Sequence, residues 1–96
     1  PSSAIDKVID IVTSLGSHLA SEEKWKSKII EPPALVSLGE LTGTSVEIII
    51  AGKTQPSDQW SVIAEMRRRL LQTLEDNGIE LAVLPIALSS AQTKKN

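Results

Sequence analysis

The stretch from Lys53 to Glu80, KTQPSDQWSVIAEMRRRLLQTLEDNGIE, constrains the fold of this chain more than any other. It predicts a strand end, a turn, a helix, a stop and a new strand, in that order. Pro56 ends the preceding strand, because proline has no N–H to give to a sheet ladder. Ser57 and Asp58 carry side chains suited to capping a helix start, and Asp58 puts a carboxylate at the positive end of the helix dipole. Apolar residues then recur at Ile63, Met66, Leu70 and Leu74, with Val62 and Leu71 beside them, which is helical spacing. Asn77-Gly78 supplies a left-handed stop, so the predicted helix covers Ser57–Asn77. Ile79 opens a further apolar segment, predicted as a strand to about Leu84.

The first half of the chain reads by the same rules. Ala4–Ala20 is a predicted helix with Ser3 as its cap and Asp6 in its first turn. Ile5, Val8, Ile9, Val12, Leu15 and Leu19 form one apolar stripe. Gly16 weakens that helix by about 1 kcal/mol relative to alanine, and marks either close packing or a fraying last turn. Ser21–Lys28 is a charged connection with Trp25 in its middle, expected half-buried at the sheet rim. Pro32-Pro33 precludes helix and sets an extended entry to a strand over Ala34–Leu41, with Gly43 in the turn that follows. Val46–Lys53 is the next strand. Val46, Ile48 and Ile50 belong on one face, and Ile49 and Ala51 on the other. That second face is partly apolar, which suits contact with another surface. Ile48, Ile50, Ile63, Leu70 and Ile9 are the expected core.

The order is therefore helix, strand, strand, helix, strand. One strand ahead of the first helix would complete a split βαβ pattern, with both helices on one face of an antiparallel sheet. The fold class expected is α+β, a ferredoxin-like sandwich. Residues 1–88 make a single domain, and 89–96 a disordered polar tail.

Several of these residues also resemble a known family. Lys53, Thr54, Pro56, Gln59, Trp60, Val62, Glu65, Arg69, Gly78, Ile79 and Glu80 stand in register with a run in the last cytoplasmic α/β domain of the small-conductance mechanosensitive channel family. Upstream, IIEPPALVSLGELTGTSVEI resembles that family's Glu-Pro-Pro hairpin and its Leu-Gly-x-Ser-Ser-Val turn. The resemblance runs from about Ala4 to Glu80. It implies that the family's first strand is missing here, leaving an open sheet position able to recruit a neighbouring chain. The family's following run, Ile-Pro-Phe-Pro-Gln, leads into a shared barrel. Here it reads Leu81-Ala82-Val83-Leu84-Pro85, without the aromatic or the glutamine.

Composition limits the alternatives. With 96 residues and a net charge of −2, the chain lacks the basic surface of a nucleic-acid binder. It has no cysteine, so disulfides and thiolate metal sites are excluded. No run reaches the roughly 20 apolar residues that span a bilayer. Any membrane attachment is expected through segments outside this stretch, which reads as a fragment of a channel subunit. His18, the single histidine, has no partners at metal-ligand spacing and reads as a surface residue near a helix end. Glu22-Glu23 and Glu75-Asp76 read as solvated carboxylates. Arg67-Arg68-Arg69 points in three directions around a helix, and Glu65 is spaced to pair with Arg69. These arginines fit a solvated face, subunit salt bridges or anion binding. Trp60 fits either a rim residue covering the helix–sheet junction or an intersubunit anchor.

No catalytic, cofactor or metal residues are predicted, and the chain is not expected to be an enzyme. The candidate subunit-interface residues are Ile49, Ala51, Trp60, Arg67 and Leu71. The resemblance implies a vestibule-lining domain of a mechanosensitive ion channel, cytoplasmic, in a parent in the plasma (inner) membrane. Such a parent would be a homo-oligomer, a heptamer in the family, releasing ions and small solutes on hypo-osmotic shock. The isolated domain is expected to be monomeric or weakly associated. A small-molecule-binding regulatory module of the same architecture is the alternative, supported by fold analogy alone.

Overall fold

A computed structural model describes residues 4–42, 45–79, 82–83 and 89–90. In chain order it holds α1 (Ala4–Ser21), β1 (Ile29–Thr42), β2 (Ser45–Thr54), α2 (Gln59–Asp76), β3 (Ala82–Val83) and β4 (Ser89–Ser90). The α+β arrangement expected from the sequence is present, and it is compatible with a ferredoxin-like split βαβ fragment.

β1 and β2 form a long antiparallel pair, with Leu35 opposite Ile50 and Leu38 opposite Ile48. The strand begins at Ile29, ahead of the expected Ala34, and runs through Pro32 and Pro33. Those prolines fall between Glu31 and Ala34, where the register shifts. Their missing N–H groups therefore fall at an irregularity, where proline is tolerated in a strand. Gly43 lies outside the described residues, as do Leu84, Pro85 and the expected tail beyond Ser90.

The second edge of β2 holds a difference from the sequence reading. Ala82–Val83 pairs parallel with Ser45–Val46, and Ser89–Ser90 pairs parallel with Lys53–Thr54. The sheet position expected to be open is thus partly occupied by the chain that follows α2. A helical crossover returns the chain in the same direction as the strand it left, which is why this pairing is parallel. Ser89–Ser90, assigned to a polar tail from sequence, belongs to this pairing.

One core unites the layers. Val8, Val12 and Leu19 from α1, Val62, Met66, Leu70 and Leu74 from α2, and Ile29, Ile48 and Ile50 from the sheet form a single buried cluster. Both helices therefore pack on the Ile48–Ile50 face. The expectation holds for Ile48, Ile50 and Leu70, all fully buried. It fails for Ile9, which is exposed, and Ile63 is only half-buried. The physical reason is helical phase. The buried line of α1 is Val8–Val12–Leu19, and Ile9 falls one step round from it; Ile63 lies within the arc of the buried α2 line Val62–Met66–Leu70–Leu74 and packs against the core from there. Trp25, expected half-buried, is buried with this cluster. Around it the chain turns tightly, since the amides of Lys28 and Ile29 both donate to the Trp25 carbonyl.

The two helix ends follow different rules. Asp58 occupies the cap position of α2 but makes no side-chain cap hydrogen bond. Its carboxylate instead accepts from Lys28 Nζ at 3.4 Å, tying the start of β1 to the start of α2. At the other end, Gly78 has φ of 68°, its amide donates to the Glu75 carbonyl, and the Ile79 amide donates to the Leu74 carbonyl at 2.9 Å. This paired capping needs a left-handed residue, which glycine adopts without strain. Ile79 then packs on the core rather than opening a strand.

Gly16 settles as a close-packing position. A Cβ there would overlap the Pro33 carbonyl oxygen. Across the same segment, a Cβ on Gly52 would stand 2.8 Å from the Glu31 carbonyl oxygen and 3.0 Å from the Pro33 nitrogen. In an open helix Gly→Ala stabilises by about 1 kcal/mol. Here Gly16→Ala should instead destabilise by about 1–3 kcal/mol in denaturant melts, because the alanine methyl meets backbone that has nowhere to go. Leu70→Ala in the same assay should cost about 2–5 kcal/mol, and a loss below half that range would show that the α2 face is less closely packed.

Candidate subunit interface

The residues proposed from sequence as interface fall on two separate surfaces. Trp60, Arg67 and Leu71 are spaced i, i+7, i+11, so they lie along one line of α2. Trp60 is 72% exposed, which excludes it as a cover for the helix–sheet junction. Leu71 and Arg67 are exposed as well. Ile49 and Ala51 lie on the sheet face turned away from the helices, both half-buried, opposite Ser37 and Ala34 respectively. Lys53 faces Glu31 across the strands at 3.6 Å, giving that face a charged border. The structure therefore does not bring Ile49 and Ala51 together with Trp60, Arg67 and Leu71.

The arginine run resolves into three different environments. Arg68 donates to Glu65 from Nε at 3.3 Å and from Nη2 at 2.8 Å. Arg69 donates to the same carboxylate from Nε at 2.6 Å. Its two terminal nitrogens reach Glu22, at 2.6 and 2.7 Å. Arg67 forms no ion pair among the described residues. The fork of Arg69 thus joins α2 to the turn after α1 in a bidentate clamp. Glu22 was expected to be solvated. It is correctly placed on a turn, but its partner lies 47 residues away, and no local spacing signals such a pair.

The network shifts its members in one sense. The guanidinium of Arg68, then that of Arg69, holds the Glu65 carboxyl down to about 2 from its ordinary 4.5. The hydrogen bonds from Arg69 lower the Glu22 carboxyl also. Arg69 is pushed upward, first by its bonds to Glu22 and then by those to Glu65. Nothing here is poised for proton transfer near neutral pH, since each shift favours the charged form. Among the described residues no group of His, Asp and Glu is arranged to hold a metal. No helix among them is long and apolar enough to cross a membrane.

The family described as "Mechanosensitive ion channel MscS, C-terminal" matches the chain over residues 2–81. The chain belongs to this family. No curated protein and no solved structure matches the chain significantly. The match covers α1, both long strands and α2, so the MscS C-terminal assignment rests on the whole packed unit described above. The family is a membrane-channel family rather than a known enzyme class, and this domain is its cytoplasmic part. Within this MscS domain, Glu65 and Arg69 build the internal clamp, while Trp60 from the same run is left on the surface.

The clamp has a measurable pH signature. A carboxylate whose folded pKa is depressed contributes stability above its unfolded pKa and loses it as pH falls through the folded value. Glu65→Gln should therefore lose most stability relative to the native chain above pH 4.5, and the difference should vanish near pH 2. Urea melts at a series of pH values check this. A difference that does not change with pH would mean that Glu65 acts by shape and not by charge.

Proposed function

We propose that this domain helps to wall the cytoplasmic vestibule of an oligomeric, tension-gated channel that releases ions and small solutes on hypo-osmotic shock. The observation that carries the reading is the exposed line Trp60–Arg67–Leu71 on a domain of the MscS family. A large aromatic left 72% exposed at one end of an apolar line is costly for a monomer and useful in an interface. The outer sheet face carrying Ile49 and Ala51 is the second candidate contact. The mechanism is then one of packing and assembly: the domain's rigidity holds a wall in place, while tension is sensed by membrane segments elsewhere in the subunit. A family ring of seven subunits is the expected assembly. A small-molecule-binding module has no observation in its favour among the described residues.

The complete subunit should rescue cells lacking their own tension-gated channels from sudden dilution, and should give tension-gated currents in excised patches. Leu71→Glu combined with Trp60→Ser should lower the yield of detergent-purified oligomer and the rescue together. A subunit that reaches the membrane as an oligomer yet never conducts under tension would overturn the reading. One helix line supplies little of the roughly 800 Å² per partner that stable association requires. Sedimentation of the isolated domain should accordingly show no stable heptamer at micromolar concentration.

A further inference from the structure

The α2 line has a counterpart elsewhere on the domain. On α1, Ile5 and Ile9 are exposed at 46% and 37%. They share one helical line with Gly16, spaced i, i+4, i+11. Gly16 abuts Pro33 of β1, and β1 pairs only with β2 among the described residues, so it forms the sheet edge. The Ile5–Ile9 line therefore overhangs the β1 flank of the domain. Asp6 and Asp10 stand beside these isoleucines, both exposed and without an ion pair among the described residues.

The α2 line faces the other way. Arg69 points toward α1, because it grips Glu22 in the turn where α1 ends. At about 100° per residue, Arg69 and the Trp60–Arg67–Leu71 line fall on opposite sides of the buried Val62–Met66–Leu70 line. Trp60, Arg67 and Leu71 therefore face away from α1. The helical layer ends on one flank in an apolar line edged with acid, and on the other in an apolar line carrying a free Arg67.

We infer that neighbouring subunits join head to tail, with the Trp60–Arg67–Leu71 line of one seated on the Ile5–Ile9 line of the next and Arg67 placed against Asp6 and Asp10. The inference rests on the reading that the domain assembles with copies of itself, and names the surface that receives α2. Apolar lines match apolar lines, and the charges beside them are opposite. A two-fold arrangement would instead set Arg67 against Arg67, or Asp6 and Asp10 against themselves, at a cost that the head-to-tail arrangement avoids. Heterologous contacts between opposite flanks are also the kind that close into rings.

The test uses the complete subunit in membranes, in a background without other cysteines; this domain supplies none of its own. Ile9→Cys with Leu71→Cys should give an oxidative ladder of cross-linked subunits, while either variant alone should give no ladder. Both side chains are exposed, so the variants leave the core untouched. Adding Arg67→Asp should reduce the ladder several-fold, and adding Asp6→Arg and Asp10→Arg to that variant should restore it. The mass of the cysteine-free subunit in detergent separates the two possible failures. A monomer would overturn the self-assembly reading and this inference with it. An oligomer without the Ile9–Leu71 ladder, or with dimers formed by Leu71→Cys alone, would overturn only the head-to-tail pairing.

Discussion

The backbone from Glu31 to Pro33 is held between two glycines, and the rest of the structure depends on that approach. Gly16 brings α1 down onto the Pro33 carbonyl, and Gly52 lets β2 come close to Glu31 and Pro33 from the other side. A side chain at either position would push a layer outward. The separation of α1 from the sheet sets whether Val8, Val12 and Leu19 reach Ile48 and Ile50. It also sets the height at which α2 must lie to share the same cluster. Two prolines make this segment stiff, so the close approach is made against a part that does not yield.

The polar contacts act on top of that packing. Isolated surface ion pairs contribute little, typically between zero and about 1 kcal/mol. The Glu22–Arg69–Glu65 clamp differs because Arg69 is largely shielded, binds one carboxylate with both arms, and is fixed by a second. Lys28 and Asp58 make a lesser tie at the opposite side of the same turn region. Together these contacts join the α1–β1 connection to α2 at its start and near its middle. They set how α2 is rotated about its own axis. That rotation decides that Trp60, Arg67 and Leu71 point outward while Met66 and Leu70 point in.

This division suits the vestibule-wall role proposed above. The inner faces are saturated: every buried side-chain nitrogen or oxygen among the described residues has a hydrogen-bond partner. The outer lines carry the unused apolar area and the unpaired charges. The packed side and the proposed contact side are thus different faces of the same two helices.

The sequence alone determined the two helices, the two long strands and the family. Helical spacing, the Asn77-Gly78 stop and the alternation of Ile48, Ile49 and Ile50 are local patterns, and local patterns survive without knowledge of the partner. The ordered residues from Lys53 to Glu80 marked the MscS C-terminal domain for the same reason. The Glu65–Arg69 pair was legible because the two stand four residues apart on one helix. Other features were decided only by tertiary structure. Which apolar residue of each stripe faces inward depends on helix rotation, so Ile9 is exposed against expectation, and the turn after α1 buries Trp25 more deeply than the half-burial expected. The partner of Arg69 across 47 residues, the overlap that forces glycine at Gly16, and the parallel pairing of Ala82–Val83 on β2 all arise between segments distant in the chain. Periodicity fixes what a segment is, because the backbone repeats. What it touches depends on how the layers stack, and no single segment carries that information.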